Sequence, residues 1–177
     1  MKSVLMSIQP KWVEKIAAGW KHLDLRKTVP SLPAPFKVYI YQTRHKWAFK
    51  LLRSLELYSL ADRLDVGFGK VIGEFVCDHI LGHCEMANAD IAEQQSLVRR
   101  DKILEYSGGK QVYGWHISDL VIYDEPKELA EFWSADKCPY ASKDGCTYEY
   151  HCFRTGQTNR CGSTLQRPSQ SWCYVEG

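Results

Sequence analysis

The chain carries no large surplus of either charge. Its 23 Lys and Arg are nearly matched by 21 Asp and Glu, which leaves +2 over 177 residues. No global field draws it to nucleic acid, so any such attraction must come from local clustering. There is no apolar run of membrane-spanning length, and no membrane partner is expected. Residues Met1 to Lys11 contain no apolar stretch long enough for a signal peptide. Internal repeats and low-complexity segments are also missing. Without a secretion signal, the seven cysteines point to a reducing compartment, hence a cytoplasmic protein with thiols or metal rather than disulfides.

What is present suits one domain over residues 1–177, with a cysteine-rich insertion at about 135–164 before the last strand. The apolar fraction, 45%, is enough to build a core. Val4 to Ile8 reads as a short strand. Pro10 suits the first turn of a helix, with Trp12, Val13 and Ile16 on one face. Gly19 can take the left-handed conformation that ends a helix. Beyond it the chain alternates: Leu23 and Leu25 point one way, and His22, Asp24 and Arg26 the other. Basic and acidic side chains are thus fixed beside a helix end on rigid backbone, a placement that binding sites need and surface ion pairs do not. An ordinary amphipathic edge strand with solvated charges would show the same pattern.

Further strands are expected over Phe36 to Thr43, Val71 to Ile80, Trp115 to Tyr123 and Trp172 to Val175. Gly73 interrupts the second of these and marks a bulge or a close backbone approach. Helices are expected over Lys46 to Leu64, Ile91 to Tyr106 and Pro126 to Trp133, the last with Leu129 and Phe132 inward. The stripe Lys46, Lys50 and Arg53 reads as a solvated helix face, with phosphate tracking as the alternative.

Cysteine spacing is the second strong signal. Cys138, Cys146, Cys152 and Cys161 are separated by seven, five and eight residues. Four thiolates in so short a stretch suit one tetrahedral structural zinc ion, which would order a segment with little apolar content. His151 is a substitute ligand. The first two gaps are similar to those of CCCH-type zinc fingers, and the last is longer and ends in cysteine. Tyr150 and Arg154 lie among further aromatics and cations, the combination that stacks bases and holds phosphates of single-stranded RNA. Cys77 and Cys173 read as core residues. Cys84, near His79 and His83, suggests metal as an alternative but reads rather as an incidental polar loop, and His116 reads as a structural histidine.

The order Gly19-x-Lys21-x-x-Asp24-x-Arg26 resembles the signature of the ASCH domain, a PUA-like family, with Asp24 where Glu is usual. Gly69 to Phe75 is similar to the family's central strand and Tyr113 to Ile117 to a later one. Arg167 to Val175 is similar to the close of bacterial and phage-type members. The resemblance implies an α+β fold: a PUA-like β-barrel with flanking helices, here carrying the zinc-knuckle-like insertion. It also implies binding of RNA or a nucleotide through Lys21, Asp24 and Arg26. Enzymatic relatives hydrolyse acetylated cytidine with a Lys, a Thr and a Glu, so amide hydrolysis on a modified nucleoside is the alternative. Lys21 matches the lysine, Asp24 stands at the nucleophile position without a hydroxyl, and Glu93 lies close to the acid. Thr28 and Glu74 are the nearest substitutes. A third reading is a phage or mobile-element protein whose knuckle grips a protein partner.

Overall fold

The computed structural model describes residues 2–44, 68–134 and 164–176. The expected helix over 46–64 and the cysteine-rich segment, with Cys138, Cys146, Tyr150, His151, Cys152, Arg154 and Cys161, lie outside the described residues.

The described chain runs β1 (Lys2–Ile8), α1 (Pro10–Ala17), β2 (Leu23–Arg26), β3 (Phe36–Gln42), β4 (Val71–Cys77), β5 (Ile80–Leu81), α2 (Ala89–Ser96), α3 (Arg100–Ser107), β6 (Tyr113–His116), β7 (Ser118–Lys127) and β8 (Trp172–Glu176), with a 3-10 turn at Leu129–Glu131. These strands form a five-stranded sheet of order β7-β4-β3-β1-β8 and a three-stranded sheet of order β2-β6-β5. Among the described strands, β1 and β3 alone pair in parallel, with Val4 opposite Val38 and Met6 opposite Ile40. A parallel pair needs a crossover, and α1 with β2 supplies it.

Both faces of the large sheet are covered. Val4, Met6, Ile8, Val38 and Ile40 pack with Val13 and Ile16 of α1 and Trp115 of β6. Leu5, Tyr39, Tyr41 and Val175 form a second cluster with Leu129 and Phe132. Cys84, Ala92, Ile103 and Val112 make a third, smaller core that seats α2 and α3.

Four expectations change. The two sheets do not close into a barrel among the described residues: β2 and β5 are the edges of one sheet, β7 and β8 of the other. Closure would need backbone pairing between those edges, and on the β2 side a side chain spans the gap instead. Next, the apolar runs expected as single strands each change sheet. β4 stops at Cys77 and the chain resumes as β5 in the small sheet, while β6 stops at His116 and resumes as β7 in the large one. Finally, the helix expected over 91–106 is two helices broken at Leu97, whose φ is +58°. The expected helix over 126–133 shrinks to the 3-10 turn, since β7 runs on to Lys127; Leu129 and Phe132 are nevertheless buried. Gly73 does mark a close approach, because a Cβ built there would lie 2.4 Å from the Val121 carbonyl oxygen.

Candidate functional site

The site begins with the end of α1. Gly19 adopts φ +70°, and the N–H groups of Trp20 and Lys21 both return to the Lys15 carbonyl. This cap turns the chain sharply and delivers Lys21 to the mouth of β2. Period two along β2 then places Asp24 and Arg26 on one face. All three are buried, at 3%, 5% and 8% exposure, yet all three line one open cleft of about 470 Å³.

Arg26 holds the cleft together. Its Nε donates to Asp24 Oδ2 at 2.7 Å. Nη1 donates to the carbonyl and hydroxyl oxygens of Ser171, at 3.1 and 3.2 Å. Nη2 donates to the Ser7 carbonyl at 2.9 Å. The guanidinium therefore reaches from β2 across to β1 and to the approach of β8, bridging the opening between the sheets. Among the described residues, one N–H of Nη2 is left over after these bonds.

Lys21 ties the other wall. Its Nζ donates to the Leu23 carbonyl at 2.6 Å and to the Ser96 carbonyl at 3.0 Å. Ser96 is the last residue of α2, so the amine satisfies an orphan carbonyl at the negative end of that helix. The Ser96 hydroxyl in turn accepts from the Val98 N–H at 3.2 Å, which fixes the break between α2 and α3. Asp24 Oδ1 lies 3.6 Å from Nζ and keeps acceptor capacity beyond its bond to Arg26.

Burial is the largest influence on Asp24 and raises its pKa, but Arg26 and Lys21 together hold it below the usual carboxylate value. Burial also dominates Lys21 and lowers its pKa, against the pull of Asp24. The trio thus gathers two cations and one anion in partly desolvated surroundings.

Aromatic rings and further lysines complete the rim. Trp12 and Tyr106 both line the cleft. Lys11 and Lys21 sit 4.8 and 5.0 Å from the Trp12 ring centroid, and Lys15 sits 5.8 Å away. Lys27 sits 4.8 Å from that of Tyr106. Burial raises the Tyr106 phenol's pKa. Aromatic and basic residues thus stand together around the motif; the cysteine-rich segment, where the sequence also leads one to expect them, lies outside the described residues. Trp12 faces the cleft half-buried rather than serving only the core, and the signal for this is its place two turns before the Gly19 cap. Tyr106, Ser7 and Ser171 reach the cleft from distant elements and have no local signal.

The other candidates are elsewhere. Glu93 is on α2 and does not line the cleft. Thr28 accepts a hydrogen bond from Trp172 Nε1 at 2.9 Å and is also outside the lining. Glu74 accepts from Lys37 at 2.6 Å and from Tyr123 at 2.5 Å, on the large sheet. Thr43 does line the cleft, and its backbone N–H pairs with the Ile8 carbonyl at 2.9 Å. Among the described residues, no helix is long and apolar enough to cross a membrane.

No family model matches the chain, and no curated protein does. Among solved structures it is similar to the crystal structure of ASCH from Zymomonas mobilis, at 16% identity and a TM-score of 0.53 over 72% of this chain and 73% of that one. Two single-substitution variants of that protein give the same score, at 18% and 19% identity over 73% and 72% of this chain, and over 77% and 74% of theirs. The two sheets and the helices packed on them thus fall within a known architecture: the chain has an ASCH-type fold.

Proposed function

We propose that this protein binds single-stranded RNA, or a nucleotide-sized part of it, in the cleft of Lys21, Asp24 and Arg26. The observation that carries this is the convergence of those three side chains in one cleft. Trp12 and Tyr106, the aromatic rings on its wall, are each attended by lysines. A spare N–H on Arg26 beside the Asp24 carboxylate offers a donor and an acceptor, which suits a base edge carrying an amino group. Asp24 repels a phosphate placed next to it, so phosphates belong to Lys11, Lys15 and Lys27 on the rim. Rings such as Trp12 stack bases whatever their sequence.

The test is fluorescence anisotropy with labelled single-stranded and hairpin RNA over a range of salt. Affinity should fall as salt rises. Removing Lys11 and Lys15 together should flatten that slope, and Trp12→Ala should weaken binding at every salt concentration. Absence of salt-dependent binding to any RNA would refute the reading.

Amide hydrolysis on an acylated cytidine is the second reading. The depressed Lys21 amine favours it, because a general base must shed its proton near neutral pH. Against it, Lys21 Nζ is engaged by two carbonyls, and neither Glu93 nor Thr28 joins the cleft. Chromatographic assay of acetylcytidine turnover, compared with Lys21→Ala, separates the two. A grip on a protein partner by the cysteine-rich segment is the third, and pull-downs lost in Cys146→Ser without change in RNA binding would support it. The spacing of Cys138, Cys146, Cys152 and Cys161 supports a structural zinc ion, so elemental analysis should find about one tightly held zinc per chain.

A further inference from the structure

We propose that Asp78, His79 and His116 form a binding site for a divalent metal ion of the zinc class, separate from the cleft. The three sit where the chain twice changes sheet. β4 leaves the large sheet at Cys77, and Asp78 and His79 lead into β5. β6 ends at His116, and Ile117 leads back into β7. The two crossings run side by side. Ile80 pairs with Trp115 on one side of them and Val76 with Ser118 on the other. Between these, the His116 N–H donates to the His79 carbonyl at 3.1 Å. Ser118 Oγ adds a 2.9 Å bond to the Val76 carbonyl. The backbone under the three side chains is therefore pinned from both directions, as a preorganised site requires.

The side chains converge on one point. Nδ1 of His116 and Nδ1 of His79 lie 2.6 and 3.1 Å from the same oxygen, Oδ1 of Asp78. The two imidazoles stack, with centroids 4.3 Å apart and planes 24° apart. One ligand atom from each residue lies within 4.8 Å of the other two. Two neutral imidazoles and a carboxylate match the preference of zinc, nickel and copper ions, and three protein ligands leave a fourth tetrahedral position to water or a ligand. Bonds of about 2.0–2.1 Å put tetrahedral donors about 3.3 Å apart. From 2.6 and 3.1 Å, the present spacings to the carboxylate need to widen by about 0.7 Å at His116 and about 0.2 Å at His79. Side chains 58% (His79), 43% (Asp78) and 26% (His116) exposed have the freedom to do so.

The proton balance is simple. A neutral imidazole that donates from Nδ1 to Asp78 exchanges that proton with solvent and carries one on Nε2 instead, which frees the Nδ1 lone pair for the ion. Asp78 then offsets one unit of the ion's charge. Cys77 is next in sequence but takes no part: it is fully buried and its Sγ donates to the His79 carbonyl at 3.3 Å. An ion here would staple the two sheets at their shared corner, on side chains for which the RNA reading has no use.

The test uses the full chain labelled with nitrogen-15, titrated with zinc chloride while long-range spectra follow the ring nitrogens of its histidines. The Nδ1 signals of His79 and His116 should move together along one saturation curve, while those of His22 and His83 stay still. His79 is exposed, so His79→Ala should leave the circular dichroism unchanged and weaken the affinity read at His116 about tenfold or more. Asp78→Asn should do the same. Signals of His79 and His116 that stay still at millimolar zinc overturn the proposal. A His116 curve unchanged by His79→Ala overturns it equally.

Discussion

Asp24 accepts a 2.7 Å hydrogen bond from Nε of Arg26, two residues along the same strand. Side chains at that spacing share a face of β2, and both are buried, so each is the other's nearest counter-charge. The pair is held in register by backbone pairing of Asp24 with Trp115 and of Arg26 with Tyr113.

Asp24→Ala leaves Arg26 and Lys21 buried beside each other without that anion. Removing one partner of a buried ion pair costs about 3–5 kcal/mol. Urea unfolding should show a loss of that size. Asp24→Asn should lose less, since the amide oxygen still accepts a hydrogen bond. A loss under about 1 kcal/mol in Asp24→Ala would mean the trio is solvated, as surface pairs are.

Stability should depend on pH at both ends. The Asp24 carboxyl ionises in the fold below its ordinary value of 3.8. The unfolded chain then binds that proton more tightly, so the stabilisation is complete above the ordinary value and disappears as pH falls through the lower folded one. Lys21 is depressed from 10.5, so between its folded value and 10.5 the unfolded chain again holds more protons and stability rises with pH. Denaturation midpoints should fall on the acid side in wild type and fall less in Asp24→Asn. Lys21→Met should abolish the alkaline rise.

Gly73→Ala should destabilise without touching the cleft. The added methyl meets the Val121 backbone oxygen of β7 at 2.4 Å, and backbone cannot swing aside as a side chain does. Overpacking of this kind costs about 1–3 kcal/mol. The melting temperature should drop while the proposed RNA binding, measured well below it, stays the same.

The three described thiols should react in a fixed order. Burial pushes the Cys77 thiol up to about 12 and the Cys84 thiol up to about 11, so almost none is thiolate in mild alkali. Cys173 is only partly buried. Peptide mapping after native alkylation should find Cys173 modified well before Cys77 or Cys84, and urea should erase the difference.

Local chemistry made part of this structure legible in the sequence. The Gly19 cap, β1, β3 and β8 follow from nearest-neighbour preferences and period two, and the same alternation brings Asp24 and Arg26 to one face. The broken helix was not legible. The pattern that starts near Ile91 gives no sign of a stop, because the stop is set by a distant contact: Ser96 ends α2 where the Lys21 amine, 75 residues earlier, takes its carbonyl. The sheet changes at Cys77 and His116 were hidden for a different reason. Both runs keep their strand character through the crossing, and only the pairing of distant strands decides where each one turns. That is also why His116 reads as structural when taken alone: its relation to Asp78 and His79 exists only once the two crossings lie together.

Arg26 and Ser171 are 145 positions apart. A nascent chain on the ribosome can lay down β1, the capped helix and the motif strand first, but it has no finished pocket until the segment around Ser171 follows. A product cut short between Arg26 and Ser171 would retain the charged trio without the clasp that gives it shape.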